Sequence, residues 1–196
     1  MRKNKKFLPN LILILGAALI LTAAGLLISE RLSAKAALRA LTETAALMEQ
    51  RLPPRSAGVP GEMTDPSMPR LDVHGTDYAA LLEVPGASSP LPVCADWSKA
   101  SLRHRPTRFS GSLYDGTLIV GGTDTQGQFD FITRIGLGDT VLVTDLRGAV
   151  FTYTVTSIRH AEHATAQTLG ASEGDLVLFA RRALSSQYVI VTCTFG

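Results

Sequence analysis

The chain lacks any strong excess of charge, because its 196 residues carry 19 Lys and Arg against 17 Asp and Glu, a formal net charge of +2. This near balance gives no indication of a nucleic-acid partner. No internal repeat and no low-complexity tract is visible, so repeat architectures are not expected. A dense acidic cluster that could hold calcium is also missing, so we expect no bound metal. No cofactor is expected either.

Cysteine is scarce, with only Cys94 and Cys193 in the whole chain. The two could form one disulfide outside the cytoplasm, and the alternative is that they remain free thiols. Cys193 lies in the run VIVTCTF, which is typical of a strand. On composition alone, a cysteine in such a run is usually a small core residue.

The positive charge is concentrated at the N-terminus, in Arg2, Lys3, Lys5 and Lys6. The eighteen residues from Leu11 to Ile28 carry no charge, and as a helix they would extend about 27 Å, which is enough to cross a bilayer core. The pattern predicts a cytoplasmic basic head over 1–7 and a transmembrane anchor over 8–28, with the N-terminus inside. A cleaved signal peptide is the alternative, since Ala34-Lys35-Ala36 has the form of a cleavage site.

The region after the anchor divides into a helix and a linker. Apolar residues recur at helical spacing over 29–52, which predicts a juxtamembrane helix, and Pro53-Pro54 would end it. Residues 53–76 are rich in proline and glycine without periodicity, which predicts a linker. The remaining stretch, 77–196, is then a single extracytoplasmic domain.

Short β-type runs separated by turn signals dominate this domain and predict a closed or nearly closed β-barrel. The candidate strands are 79–84, 117–121, 140–145, 149–158, 175–180 and 187–194. The two runs on either side of Leu146-Arg147-Gly148 predict a β-hairpin. Segments 127–135 and 163–170 are candidate short helices.

Five sequence blocks follow one another at characteristic spacing in this domain: LLEVPGASSPLPV (81–93), DWSKASL (96–102), RFSGSLYDGTLIVGG (108–122), FDFITRIGLGDTVLVTDLRGAVFTYTV (129–155) and YVIVTCTFG (188–196). In this order they resemble the catalytic domain of the sortases. The resemblance covers about 118 of the 196 residues, those from 79 to 196. It implies a mostly β, sortase-like barrel with short helices, preceded by the transmembrane helix, and it is most similar to the class B and D enzymes of Gram-positive bacteria.

The resemblance also implies an activity. Sortases are cysteine transpeptidases that cut a sorting signal near the C-terminus of a surface protein or pilin and pass the acyl group to an amine on the cell wall or a pilin. The expected partners are therefore sorting-signal peptides, an amine acceptor and the membrane, with the domain held outside a single-pass anchor.

Three residues are placed by this resemblance. Cys193 takes the nucleophile position, the preceding Thr192 a substrate-binding position, and Thr123 the position of the family's histidine. Threonine cannot replace an imidazole as an acid–base group near neutral pH. The chain's histidines are the alternatives for that role, although solvated surface positions are expected for most of them: His74, His104, His160 and His163.

The family's arginine is expected on a strand after the cysteine, and this sequence ends three residues past Cys193. We therefore expect the last barrel strand to be missing, with an unpaired edge beside the Cys193 strand. Arg105, Arg108, Arg181 and Arg182 do not match the family's motif and are interpreted as solvated. Two functions remain open: an active transpeptidase, or a catalytically inactive peptide-binding or scaffold module.

Overall fold

The computed structural model describes residues 7–196 except 64, 88, 126–127, 171–173, 183–184 and 186. Side chains at 7–14, 17–18 and 23–34 are also outside the description. The predicted basic head therefore lies outside the described residues apart from Phe7, as do most side chains of the predicted anchor over 8–28. The chain forms two compact units, 1–37 and 38–196.

Helix α1 runs from Phe7 to Arg51, without a break between the predicted anchor and the predicted juxtamembrane helix. It ends just before Pro53-Pro54, where the sequence predicts its end. Among the described residues, no helix combines the length and the apolar content that crossing a bilayer requires. Within the second unit, Ala45 and Met48 of α1 are buried against Val73, Tyr78 and Leu81.

Among the residues that the structure describes, the second unit contains ten strands. They are β1 (Ser56–Ala57), β2 (Leu71–Val73), β3 (Thr76–Glu83), β4 (Leu91–Cys94), β5 (Thr107–Ser110), β6 (Leu118–Thr123), β7 (Thr140–Asp145), β8 (Ala149–Ala161), β9 (Leu176–Arg181) and β10 (Tyr188–Phe195). The helical segments are α2 (Lys99–His104), a 3-10 helix (Asp130–Thr133) and α3 (Ala166–Gly170). Both short helices predicted from the sequence, over 127–135 and 163–170, coincide with helical segments. The predicted hairpin is also confirmed, because β7 and β8 pair antiparallel around the turn at 146–148.

Eight of these strands close into a ring, in the order β3–β4–β5–β6–β9–β10–β8–β7 and back to β3. The ring closes because β7 pairs with β3 on one side and β8 on the other. The prediction of a β-barrel with short helices is therefore confirmed. Strand β1 adds to β8 in parallel, and β2 adds to β3.

The strand that carries Cys193 has no free edge. Strand β10 pairs antiparallel with β8 over one side and with β9 over the other. The expected unpaired edge beside Cys193 is therefore wrong. The reason is that β10 lies between β8 and β9 in the ring, so both of its edges are paired.

The stretch 53–76, predicted as a linker, is packed onto the barrel. It supplies β1 and β2, and Ser56 N–H donates to Gly148 O at 2.9 Å. Met68 and Val73 are buried, at 7% and 4% exposure. Proline and glycine in this stretch therefore mark turns between short paired segments, since those residues indicate irregular backbone and do not by themselves indicate mobility.

Alternating residues of the barrel strands build two apolar layers. One is the barrel interior, to which β6 contributes Leu118 and Val120 and β9 contributes Leu176, Leu178 and Ala180. The other is a cluster on the outer face of the same two strands, which contains Ile119, Val177, Phe179, Leu169 and Ile190. This alternation follows the two-residue period of a strand, and it decides which side chains reach the candidate site.

Candidate functional site

Thr123 and Arg181 occupy equivalent positions at the ends of neighbouring strands. Strands β6 and β9 are parallel, and their last paired residues are Thr123 and Arg181. On the next strand, Tyr188 is in register with Arg181. By strand alternation, Thr123 and Arg181 lie on the outer face, and Tyr188 packs against the outer cluster. The three residues form one row at one end of the barrel.

Cys193 lies at the other end of these strands. It is in register with Leu176, which is in turn in register with Leu118 at the start of β6. Five residues along β9 separate Leu176 from Arg181, a distance of about 17 Å in an extended strand. The side chain of Cys193 belongs to the barrel interior, whereas Thr123 lies on the outer face. The structure therefore does not bring Cys193 and Thr123 together.

The Cys193 thiol lies in an apolar environment with no exposed surface. Burial raises the pKa of this thiol to about 12, which disfavours the thiolate near neutral pH. Tyr153 lies nearby inside the barrel, and its pKa is raised by burial and by the charges of Asp175 and Cys193. Cys193 and Cys94 are both free and buried, so no disulfide joins them.

Thr192, the predicted substrate-binding residue, lies beside Cys193 but on the opposite face of β10. Its side chain is only 4% exposed, and it is covered by the backbone at Gly174, where even a Cβ atom would overlap Thr192 Cγ2. The Thr192 carbonyl accepts a hydrogen bond from Thr156 Oγ1 at 3.2 Å. The surroundings of Thr192 are therefore protein atoms.

The hydroxyl of Thr123 is held by a small hydrogen-bond network. It donates to Gln128 Oε1 at 2.9 Å and lies 3.1 Å from Thr125 Oγ1. The amide of Gln128 donates in turn to Arg103 O at 3.0 Å. Thr123 thus connects the segment after β6 to helix α2, which is a positioning role that a hydroxyl can fill and that requires no proton transfer.

An open cavity of about 460 Å³ lies at the same end of the barrel, and it is lined by Glu162, His163, Arg181, Gln187 and Tyr188. Of the chain's four histidines, His163 is the one among its lining residues. His74, in contrast, is in a tight turn with φ of 54°, and His104 ends helix α2. Among the described residues, no group of three or more His, Cys, Asp or Glu side chains could hold a metal ion.

Aromatic rings cover the middle of the outer face. The Phe179 ring lies over Gly121, where a Cβ atom would overlap it. Phe109 meets Phe179 edge-on with ring centroids 5.6 Å apart, and Trp97 meets Phe109 with centroids 4.7 Å apart. Trp97 remains 38% exposed. A large aromatic side chain is therefore available at the surface, above a layer of buried apolar residues.

A second open cavity, of about 470 Å³, lies toward the start of β6 and β9. Ile119 and Val177 form its apolar part, and Ser110, Thr117 and Gly174 are among its polar and small lining residues. The outer face of β6 and β9 therefore carries openings toward both ends, with the aromatic cluster between them.

Comparison with solved structures places the barrel among known folds. Sortase C-1 of Actinomyces oris has a TM-score of 0.51 and 17% identity, over 81% of this chain and 98% of that one. Sortase A of Corynebacterium diphtheriae, a lid mutant, has a TM-score of 0.51 and 15% identity, over 83% and 95%. The SrtA sortase of Actinomyces oris has a TM-score of 0.52 and 15% identity, over 68% and 87%. The chain has the sortase fold.

The fold is not accompanied by a detectable sequence relationship, because no family model and no curated protein matches the chain. At 15–17% identity, structural likeness establishes the architecture and leaves the activity to be argued from the site itself. The sortase resemblance predicted from the sequence is confirmed at the level of the fold.

Arg181 is the functional candidate that sequence reasoning missed. A nucleophile beside Thr123 on the neighbouring strand would lie at the end of β9. That position is occupied by Arg181. The sequence pattern VTC placed the predicted nucleophile on β10, whereas the strand that pairs with β6 is β9. The local signal was present, since 118–123 and 176–181 are both apolar runs that end in a polar residue, but their parallel pairing is not visible in either run alone.

Two other arginines interpreted as solvated are bound to the barrel. Arg105 donates to Thr76 Oγ1 at 2.9 Å and to Tyr78 OH at 3.2 Å. Arg108 donates to the carbonyl oxygens of Ala95 and Gly111 at 3.2 and 3.3 Å. Both are therefore structural residues, whereas Arg181 is exposed at the Thr123 end of the outer face.

Proposed function

We propose that this chain is a peptide-binding module with the sortase fold, which holds an extended sorting-signal-type peptide on the outer face of β6 and β9 without cutting it. The observation that carries the proposal is the register of Thr123 with Arg181 at one end of that face. Neither side chain is a nucleophile near neutral pH, and the thiol of Cys193 faces the barrel interior about 17 Å away along the strands.

Peptide cleavage by a cysteine requires a thiolate that can reach the carbonyl carbon and an acid that can protonate the leaving amine. The Cys193 thiol has no exposed surface, and burial raises its pKa to about 12. The chemistry available on the outer face is instead that of recognition. It offers an exposed indole at Trp97, a guanidinium at Arg181 and an open cavity on either side of the aromatic cluster.

The other function favoured by the sequence is a transpeptidase that uses Cys193 and passes the acyl group to an amine on the cell wall or a pilin. That function requires the last strand to turn Cys193 outward. Such a change would expose the interior face of β10, where Val189, Val191 and Cys193 are at most 2% exposed. It would remove apolar contacts from the core at a large free-energy cost, so we favour the binding module.

Binding and cleavage are separated by one assay on the full-length chain, kept in mild detergent because of the charge-free run Leu11–Ile28. Fluorescent peptides containing LPATG or NPATN report binding by anisotropy, and the same peptides with a donor–quencher pair report cleavage in the presence of triglycine as amine acceptor. We expect saturable binding of at least one peptide and no cleavage. Cleavage that disappears in Cys193→Ala would show that the chain is a transpeptidase.

A matched pair of variants locates the binding surface. Trp97→Ala is expected to weaken binding about tenfold, as for an aromatic anchor at an interface. Leu137→Ala is the control, because Leu137 is 69% exposed and lies in the turn before β7. Equal binding by Trp97→Ala and the parent chain would exclude the outer face as the peptide site.

We also propose that the module acts at a membrane, with the barrel on the extracytoplasmic side. The support is in the sequence, where basic residues precede the charge-free run Leu11–Ile28. Expression of the full chain followed by membrane fractionation and protease accessibility tests this location. Recovery of the barrel in the soluble cytoplasmic fraction would contradict it.

A further inference from the structure

The guanidinium of Arg181 is an available cation in a cavity. Arg181 is exposed, and its side chain makes no hydrogen bond or ion pair with any residue that the structure describes. Its backbone carbonyl accepts a hydrogen bond from Asp124 N–H at 3.0 Å. Because β9 pairs on both sides, the Cα position of this residue is fixed at the wall of the cavity described above.

The other lining residues add hydrogen-bond donors to that charge. The cavity includes the phenol of Tyr188, the carboxamide of Gln187 and the imidazole of His163, all of which can donate to an oxygen anion. One lining residue, Glu162, carries the opposite charge. No ion pair joins Glu162 to Arg181 within the described part of the chain. A planar guanidinium with adjacent neutral donors favours a carboxylate, which arginine binds through two parallel hydrogen bonds.

The distance between the two cavities along β9 indicates the length of the peptide that would reach both. Val177 lines the second cavity, and Arg181 lines this one. Four residues of β9 separate them, or about 13 Å in an extended strand. An extended peptide of about four residues covers the same distance when it passes over the aromatic cluster, whose outer ring, Trp97, is 38% exposed. One end of such a peptide would meet the opening at Ile119 and Val177 while the other end reaches Arg181.

On the basis of the proposed peptide-binding function, we infer that the ligand is an extended peptide with a free C-terminal carboxylate, and that Arg181 binds this carboxylate. Trp97 and the opening at Ile119 and Val177 then contact the side chains of the peptide, and the cavity at Arg181 recognises the chain end. Such a module distinguishes a peptide that has already been cut from an uncut chain that passes through the same position.

The test uses the tetrapeptide LPAT labelled with fluorescein at its N-terminus, prepared once with a free C-terminal acid and once as the C-terminal amide. Binding of both to the full-length chain is measured by anisotropy, beside the longer LPATG and NPATN peptides used for the binding assay. We expect the acid to bind at least tenfold more tightly than the amide at low ionic strength, and the difference to shrink as salt is added.

Two arginine variants test whether Arg181 causes the preference for the acid. Arg181→Gln is expected to remove the difference between acid and amide, because binding of the acid falls to the level of the amide. Arg182→Gln is the matched control, since Arg182 follows Arg181 in the chain but does not line the cavity, and it is expected to keep the preference for the acid. Thermal unfolding by circular dichroism verifies that both variants are folded.

The outcomes distinguish this inference from the function on which it rests. If acid and amide bind equally well, the terminal carboxylate is not recognised and the inference is overturned, while peptide binding stands. If the acid is preferred but Arg181→Gln keeps that preference, or Arg182→Gln loses it, the assignment to Arg181 is overturned. If none of the four peptides binds, both the inference and the proposed function fail.

Discussion

The hydroxyl of Tyr114 donates a 2.7 Å hydrogen bond to Oδ2 of Asp145, and this carboxylate has no exposed surface. The other oxygen of Asp145 accepts from the backbone N–H groups of Arg147 and Ala149 at 2.9 and 2.7 Å. The guanidinium of Arg147 lies 5.2 Å from the centroid of the Tyr114 ring. A single buried carboxylate thus shapes the β7–β8 turn and ties it to the segment before β6.

This arrangement predicts a large loss of stability on removing the carboxylate. Asp145→Ala leaves two backbone donors and the Tyr114 hydroxyl without their acceptor, and we expect it to lower the free energy of unfolding by about 3 kcal/mol or more. Tyr114→Phe removes one hydrogen bond to a charged group and is expected to lower it by about 2 kcal/mol. Urea unfolding followed by circular dichroism measures both values.

Tyr153→Phe is the matched control for these substitutions. Its hydroxyl is also buried but has no hydrogen-bond partner among the described residues, so its removal is expected to leave stability unchanged or slightly increased. A loss in Tyr153→Phe as large as that in Tyr114→Phe would contradict the role assigned to the bond between Tyr114 and Asp145.

The buried Cys193 thiol predicts a loss of stability at alkaline pH. Its folded-state pKa is raised from 9.0 to about 12, so between these values the unfolded chain has released a proton that the folded chain still holds. Stability is therefore fully present below pH 9 and falls as the pH rises toward 12, by at most about 1.4 kcal/mol per pH unit for this group. The raised pKa values of Tyr114 and Tyr153 extend the decline above pH 10.

Urea unfolding at pH 8, 9, 9.5 and 10 measures this slope. Cys193→Ala is expected to reduce the slope between pH 8 and 9.5, where the thiol of the unfolded chain ionises ahead of the tyrosines. Val191→Ala is the control, because Val191 is buried in the same interior layer and does not titrate, so it lowers stability equally at every pH. An unchanged slope in Cys193→Ala would mean that the thiol is not protected from ionisation by the fold.

The close approach of Phe179 to Gly121 predicts the effect of adding one methyl group. In Gly121→Ala the new Cβ would overlap the Phe179 ring and lie 3.0 Å from Leu102 Cδ1. We expect a loss of about 2 kcal/mol from overpacking, together with a change in the fluorescence of Trp97, the chain's single tryptophan. Trp97 reports on this site because its ring centroid lies 6.2 Å from that of Phe179.

Two further variants make the interpretation of Gly121→Ala specific. Gly170→Ala is the control, because a Cβ there would meet no atom within 4 Å, and it is expected to leave both stability and fluorescence unchanged. The double variant Gly121→Ala with Phe179→Leu is expected to be less destabilised than the sum of the two single variants, since the smaller side chain frees the space. Additive losses would show that the ring is not the obstacle.

The positions of the strands could be predicted from the sequence more readily than the pairing between them. Alternation of apolar residues within 149–158 and 187–194 is a local property, and β8 and β10 lie where those patterns are. Strand pairing is not local, because the parallel pair β6 and β9 joins residues almost sixty positions apart in the chain. The pattern around Cys193 could therefore predict a strand. It could not show that Cys193 and Thr123 lie at opposite ends of the barrel.

The shortest strands, and the contacts of polar side chains in the barrel, could not be predicted from the sequence. Strand β5, with Arg108, is only four residues long, and its sequence TRFS carries no clear alternation. Arg108 is bound because two carbonyl groups happen to face it once the barrel has formed. The same limit applies to Arg181, since its role depends on Tyr188 and His163, which the fold brings beside it and the sequence does not.

The position of β10 between β8 and β9 has a consequence for how the barrel folds. The ring remains open until β10, the last of its eight strands in chain order, has paired, so β8 and β9 expose unpaired backbone edges until then. Exposed edges of this kind invite pairing with other chains, and pairings between distant segments are slow to form. A chain in which β10 has not yet paired is therefore the folding species of this protein that is most prone to aggregate.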